Sequence, residues 1–331
     1  MPNPYISGTG FYLPPRVVIN DDLSKYMDTT DEWIQERTGI KERRYVEKGV
    51  GSSDLAIPAT EQALAKAGLH VSDIELIIFA TSTPDFYAPG AGCLLQEKMG
   101  FNEIGALDIR VQCSGFIYGM SIAEQYIKTG TFKNILLIGA EVQSTAMDLT
   151  DSGRDTAVIF GDGAGAVVIS ATDDDRGILS THMHSEGKYA KELWLESPAS
   201  NAGHPRISSK DLDEGKQYLK MNGKEVFRHA VTRFPEVINE ALEANNLTSE
   251  NIDLLIPHQA NLRITQMVQK KLGLSNDQVY SNIQKYGNTT AATIPIALAE
   301  VVNEGKISDG DIVVFAAFGS GFTWASAVIK W

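Results

Sequence analysis

Cysteine is scarce: Cys93 and Cys113 are the only two in 331 residues, and they form no C-x-x-C pair. That excludes a disulfide framework and a structural zinc site, and leaves two reduced thiols, each either buried filler or reactive. Long apolar runs are missing too. The longest, Ile312 to Phe318, falls far short of the ~20 residues a membrane span needs. Basic charge is in deficit, with 29 Lys and Arg against 42 Asp and Glu and a net charge of −13. Such a balance disfavours a general nucleic-acid binder, since phosphates would find no broad neutralising face. Any anionic substrate has to be met by a local basic patch. The start, Met1-Pro-Asn-Pro-Tyr, has neither the basic nor the apolar region of a signal peptide, so the expectation is a cytoplasmic protein. What remains is an ordinary globular composition, 43% hydrophobic and 21% charged. At this length it builds two packed units or one large unit of duplicated design.

Apolar runs with β-branched residues alternate with helical patterns, which predicts α/β layering around central, mostly parallel sheets. Ile74 to Ala80, Ile135 to Gly139, Ile252 to Ile256 and Ile312 to Ala316 read as buried strands. Phe116, Met120, Ala123 and Ile127 recur at helical spacing. Phe227 to Leu242 does the same, with Pro235 expected to kink or split that helix. The segment from Glu61 to Ile78 aligns without gaps on Asn239 to Ile256 at an offset of 178, and Ile135 falls on Ile312 at 177. Two blocks at nearly one offset indicate duplication. The predicted halves are 1–175 and 176–331, facing each other about a pseudo-two-fold axis, with equivalent helix starts converging on one cleft. Drifting to 175, the same phase sets Cys113 opposite Asn288. A polar, turn-rich stretch at about 188–216 reads as a long loop between the halves, of the kind that forms lids or binding segments.

Cys113 follows the strand-like Ala106-Leu-Asp-Ile-Arg-Val and opens an apolar helix. Unpaired N–H groups and the positive end of a helix dipole lower a thiol pKa, and they also offer donors to an oxyanion. Cys93, in Gly92-Cys-Leu-Leu-Gln-Glu-Lys-Met, reads as core. His258 stands at the end of a buried strand and Asn288 in a glycine turn, Tyr286-Gly-Asn-Thr. Singly, these are a structural hydrogen-bonder and a helix cap. Together, opening on the cleft of Cys113, they supply two donors to a developing enolate. Gly161-Asp-Gly-Ala-Gly-Ala precedes a strand, so it reads as a glycine turn and no dinucleotide fingerprint. His182 and His184 have no third ligand near them and read as surface residues; no metal site is expected. Arg263 and Lys270 share one helix face with Lys271 beside them, a docking site for an acidic partner or simply a solvated face. Trp33 and Arg37 lie four apart on a predicted helix.

These residues resemble the β-ketoacyl-acyl-carrier-protein synthase III family of thiolase-fold condensing enzymes. The likeness covers Glu32-Trp-Ile-Gln-Glu-Arg-Thr-Gly-Ile, Cys113-Ser-Gly-Phe, Phe160-Gly-Asp-Gly-Ala-Gly, Met221-Asn-Gly, His258-Gln-Ala-Asn-Leu-Arg-Ile, Gly287-Asn-Thr and Phe318-Gly-Ser-Gly-Phe-Thr-Trp. The resemblance implies a duplicated αβαβα fold and a Cys113–His258–Asn288 triad. Cys113 would take an acyl group from coenzyme A. His258 and Asn288 would stabilise the enolate left when malonyl-acyl carrier protein loses carbon dioxide, and the product is a 3-oxoacyl-acyl carrier protein that initiates fatty acid synthesis. The N–H groups of Cys113 and Ser320 would form an oxyanion hole, and Phe318 an apolar wall that favours loss of the carboxylate.

The same resemblance implies that Trp33 and Arg154 sandwich the adenine of coenzyme A, with Thr29 nearby. Arg37 and Arg263 would meet the phosphates, and Gly223 and Asn261 border the pantetheine arm. Arg228, Arg263, Lys270 and Lys271 match carrier-protein docking positions. It implies a homodimer and no metal or redox cofactor, coenzyme A entering only as a thioester substrate. Ser320 replaces a glycine common in the family, Val111-Gln112 replaces Ala-Ala, and the Thr83–Gly90 and 188–216 segments are longer. These departures bear on the acyl chain and accord with a primer longer than acetyl. Alternatives are an acyltransferase or secondary-metabolite condensing enzyme of the same fold, and a non-catalytic partner subunit. The presence of all three triad residues argues against the last.

Overall fold

Apolar, β-branched runs bury strands and amphipathic runs cover them, and the chain alternates the two. The computed structural model describes all 331 residues. β1 (Asn3–Tyr12) is followed by β2 (Arg16–Ile19), α1 (Asn20–Leu23), α2 (Asp31–Thr38) and β3 (Glu42–Tyr45). Then come α3 (Ser52–Ala67), β4 (Leu76–Ala80), α4 (Ala91–Met99), β5 (Gly105–Ile109), α5 (Gly115–Lys128), β6 (Asn134–Val142), α6 (Arg154–Ala157) and β7 (Asp162–Thr172). The second series is β8 (Gly177–Ser185), β9 (Leu193–Leu195), α7 (Ser209–Asp213), β10 (Leu219–Met221), α8 (Gly223–Ala244) and β11 (Leu254–Pro257). It ends with α9 (Leu262–Leu272), α10 (Ile283–Tyr286), α11 (Thr293–Asn303), β12 (Ile312–Gly319) and β13 (Thr323–Lys330).

One sheet has the order β1-β7-β6-β4-β5 and the other β11-β12-β13-β8. Both are mixed rather than mostly parallel. β4 runs parallel to β5 and β6, and β11 to β12, while the remaining neighbours are antiparallel. A tight turn between β12 and β13 leaves no chain for a parallel crossover. The sheets share one plan: β1, β4, β6 and β7 correspond in order and direction to β8, β11, β12 and β13. A lone parallel bridge from Leu255 to Val279 stands where β5 stands in the first sheet.

The layers follow from which faces are apolar. α5 and α11 are packed between the sheets in one core with residues from both. α3 and α4 cover the outer face of the first sheet, and α8 and α9 that of the second. This is the αβαβα layering that the resemblance implies.

Three local expectations are corrected. α8 runs unbroken through Pro235. A proline frees the carbonyl four residues back, here that of Val231, and Lys271 Nζ donates to it at 2.8 Å. The stretch at 188–216 lies between β8 and α8 rather than between the sheets. It carries β9, paired with β10, as well as the short helix α7. Gly163 and Gly165 belong to strand β7 itself, not to a turn before it.

Candidate active site

Each repeat delivers its central helix through the same tight device. After β5 the chain makes a 3-10 turn at Gln112–Ser114 and enters α5; before α11 it makes the matching turn at Thr290–Ala292. Gln112 (φ 44°) and Thr290 (φ 52°) both adopt the left-handed region, which non-glycine residues rarely occupy. Their separation is 178, the offset of the sequence repeat. Cys113 is therefore opposite Ala291, and Asn288 sits three residues before that equivalent position. The drift to 175 is corrected.

The sheets press on these turns at glycines. A Cβ on Gly139 would stand 2.3 Å from the Ala291 carbonyl oxygen. One on Gly319 would stand 2.5 Å from Cys113 Cβ and 2.8 Å from its Sγ. Gly319→Ala therefore has to displace the thiol. We expect acyl transfer to fall about 10²-fold with the thermal melt retained, as displacements near 1 Å do to reacting groups. A wild-type rate of Cys113 acylation would show that the sulfur is not held by this contact.

His258 leaves the end of β11 with its N–H on the Ala316 carbonyl at 2.8 Å, in line with β12. Its Nδ1 lies 2.7 Å from Thr293 Oγ1, while Nε2 is buried with no partner. Burial lowers this imidazole to about 3, so it is neutral at physiological pH. Asn288 is pinned by its N–H to the Ile159 carbonyl at 2.9 Å and accepts from the Gly161 N–H at 3.1 Å. Its Oδ1 takes the Thr290 N–H at 2.8 Å, which leaves the Nδ2 hydrogens available. Cys113, His258 and Asn288 all line one narrow cavity of about 110 Å³, together with Phe318, Gly223 and Asn261. Elements from both repeats thus bring the three groups together.

Burial, followed by the carboxylate of Glu141, pushes the Cys113 thiol up to about 12, against the downward pull of the Ser320 N–H and its own. The expectation of a lowered thiol pKa is reversed, because a cysteine only 5% exposed loses more by desolvation than the helix start returns. Ser320 turns its hydroxyl away, donating to the Leu193 carbonyl, so its side chain does not crowd its N–H.

Two residues escaped the sequence reading. Thr293 holds His258 and is one more threonine in Thr289-Thr290-Ala-Ala-Thr293. Glu141 is fully buried and accepts from Ser82 Oγ at 2.9 Å and Thr83 Oγ1 at 2.6 Å, tying the loop after β4 to the end of β6. Burial raises it to about 7. A carboxylate ending the apolar run Ile135-Leu-Leu-Ile-Gly-Ala was the available signal.

Thr30 caps α2 by accepting the Trp33 N–H, which sets Trp33 and Arg37 one helical turn apart. The guanidinium carbons of Arg37 and Arg154 lie 4.4 and 4.7 Å from the Trp33 ring centroid. Arg154 is thus stacked directly on the ring, and an aromatic base enters between them only if Arg154 swings out. The Thr29 hydroxyl is buried with no partner. Asn261 caps α9 and donates to the Arg37 carbonyl at 2.9 Å, joining α2 to α9.

Arg263 and Lys270 are exposed on α9, whereas Arg228 is engaged by Glu225 and Lys271 by the α8 backbone. Cys93 is exposed in the first turn of α4, not core. His182 and His184, neighbours on one face of β8, both meet Glu240, at 3.3 and 2.6 Å.

Residues 107–187 match the family model of 3-oxoacyl-[acyl-carrier-protein (ACP)] synthase III, and residues 242–331 match the model of its C-terminal part. A β-ketoacyl-[acyl-carrier-protein] synthase III of Clostridioides difficile is 48% identical over 326 residues, 98% of each chain. Another, of Caldanaerobacter subterraneus subsp. tengcongensis, is 46% identical over 326 residues, 98% of this chain and 97% of its own. The crystal structure of 3-oxoacyl-[acyl-carrier-protein] synthase III from Aquifex aeolicus VF5 is similar with a TM-score of 0.90 and 43% identity, covering 99% of this chain and 100% of that one.

Proposed function

The chain belongs to the 3-oxoacyl-[acyl-carrier-protein] synthase III family, and we infer from this that it joins an acyl-CoA primer to malonyl-acyl carrier protein in a decarboxylating Claisen condensation, initiating fatty acid synthesis. The observation that carries the assignment of roles is the meeting of one thiol, one neutral imidazole with a free Nε2 and one carboxamide in a single apolar cavity. In the first half-reaction Cys113 sulfur attacks the thioester carbonyl. The bond to coenzyme A breaks, and the proton lost by Cys113 is balanced by the one the departing coenzyme A thiol gains. The N–H groups of Cys113 and Ser320 face the oxyanion formed on the way.

In the second half-reaction malonyl-acyl carrier protein loses carbon dioxide and leaves an enolate. His258 Nε2 and Asn288 Nδ2 donate to its oxygen. The single proton of the Thr293 hydroxyl has two acceptors, His258 Nδ1 at 2.7 Å and the Thr290 carbonyl at 3.1 Å. Given to the nearer Nδ1, it makes Nε2 the N–H donor that the enolate needs. Phe318 withholds solvation from the carboxylate that leaves. The enolate carbon then attacks the Cys113 thioester, the C–S bond breaks, and sulfur recovers its proton. Each step moves an acyl group, carbon dioxide or a proton, so the chemistry calls for no metal and no redox cofactor.

In this reading Trp33, Arg37, Arg154, Thr29 and Arg263 would hold the nucleotide end of coenzyme A, and Gly223 and Asn261, which line the narrow cavity, would border its arm. Arg263 and Lys270 form the free basic face for an acidic carrier protein. Lys270→Glu, alone and with Arg263→Glu, is expected to raise KM for malonyl-acyl carrier protein about tenfold while changing acyl-CoA use far less in the single variant. Equal KM values would remove the docking role. β5 is an edge strand, paired with β4 on one side only and with Leu107 exposed, which suits pairing with a second copy as a homodimer. No helix is long and apolar enough to cross a membrane, in keeping with a cytoplasmic site of action. Release of labelled carbon dioxide from malonyl-acyl carrier protein, with a 3-oxoacyl product, tests the condensation directly. Acyl transfer without carbon dioxide release would point to a plain acyltransferase.

A further inference from the structure

Cys113 lines a second, larger cavity of about 580 Å³ as well as the narrow one. If the narrow cavity receives the pantetheine arm, as the function above requires, an acyl chain on Cys113 sulfur has to extend into the second. An acetyl group would leave that space almost empty. Its lining is also wrong for plain hydrocarbon. Thr290 lies on its wall, 3% exposed, with a hydroxyl that has no hydrogen-bond partner. Gln112 and Arg110 also line this cavity. The carboxylate nearest Arg110 in sequence, Asp108, is taken by the Ala91 and Gly92 N–H groups, at 2.6 and 2.9 Å, and leaves the guanidinium without an ion pair.

Gln112 and Thr290 are also the two pseudo-symmetric residues held in left-handed backbone. Glycine would relieve that strain in both repeats. Side chains kept at strained positions on a cavity wall are a sign of use. A buried polar group facing only hydrocarbon is costly, so the Thr290 hydroxyl fits a chain that returns a hydrogen bond, with the half-buried Gln112 and the exposed Arg110 bordering the same cavity.

We propose that the primer is an acyl chain of four or more carbons bearing a hydrogen-bonding oxygen function beyond the thioester carbonyl, a hydroxyl or a carboxylate, which Thr290, Gln112 and Arg110 recognise. This rests on the condensing function proposed above.

The test compares butyryl-CoA, 3-hydroxybutyryl-CoA and succinyl-CoA by acyl mass gained on the full-length protein and by kcat/KM with malonyl-acyl carrier protein. An oxygenated primer is expected to exceed butyryl about tenfold or more, the worth of one added hydrogen bond. That ratio should collapse toward one in Thr290→Val or Gln112→Leu. A succinyl preference lost in Arg110→Met assigns a carboxylate; a hydroxybutyryl preference kept in Arg110→Met assigns a hydroxyl. Butyryl equal to or better than both primers in the wild-type protein overturns the proposal, as does a ratio unchanged in both Thr290→Val and Gln112→Leu. In those cases butyryl still acylates Cys113 and condenses, and the function above stands. If no acyl-CoA adds mass to the protein, that function falls as well.

Discussion

Cys113→Ala is expected to gain no acyl mass from any acyl-CoA and to bring condensation down by at least about 10⁴-fold, the scale on which loss of a covalent nucleophile is felt. No second group can take over. Cys93, the only other thiol, is exposed on α4 and lines neither cavity that Cys113 borders. The effect is not one of folding, since alanine removes a single sulfur atom from the turn before α5 and leaves the backbone bonds of Gln112–Ser114 in place. The same variant should still release carbon dioxide from malonyl-acyl carrier protein, because His258 and Asn288 are untouched. Loss of both activities together, with the melt unchanged, would mean that the sulfur also serves decarboxylation.

His258→Ala and Asn288→Ala should give the converse pattern. Each retains acylation of Cys113 within about tenfold and loses about 10² to 10³ in carbon dioxide release, the cost of removing one donor to a developing oxyanion. Thr293→Val belongs to the same class but acts through His258. Without a hydroxyl the ring loses the partner that places the proton on Nε2, so the second half-reaction falls while acylation does not. Burial holds His258 at about 3, far below an ordinary histidine. As pH falls from 8 to 5 the imidazole therefore stays neutral, and the decarboxylation rate should show no inflection near 6.5. A break there, or equal loss of both half-reactions in these variants, would contradict the division of roles.

Much of this architecture is written in local patterns. Leu76 to Ala80 and Ile312 to Ala316 announce buried strands because no polar residue interrupts them, and the repeat between residues 61–78 and 239–256 implies a second, similar sheet. The nucleophile was legible for the same reason, since a strand followed by Cys113-Ser-Gly-Phe and an apolar helix has few readings. Other features depend on partners distant in sequence. The unbroken α8 could not be read from Pro235, because the group that satisfies the freed Val231 carbonyl is Lys271, forty positions away. The same bond ties Lys271, one of the expected docking positions, to the α8 backbone. The thiol pKa went the wrong way because a helix start is local and visible, whereas the burial that outweighs it and the charge of Glu141 that adds to it come from residues distant in sequence, Gly319 packing on the sulfur among them. The pseudo-symmetric partner of Cys113 was misplaced because chemistry suggested Asn288, while the backbone keeps the repeat offset and puts Ala291 there.

The place of acyl attachment decides the central claim most directly. After incubation with acyl-CoA and proteolysis, tandem mass spectrometry should find a single acyl thioester on Cys113, none on the more accessible Cys93, and its discharge on adding malonyl-acyl carrier protein. An adduct on Cys93, an adduct that survives the second substrate, or unmodified Cys113 throughout would contradict the account.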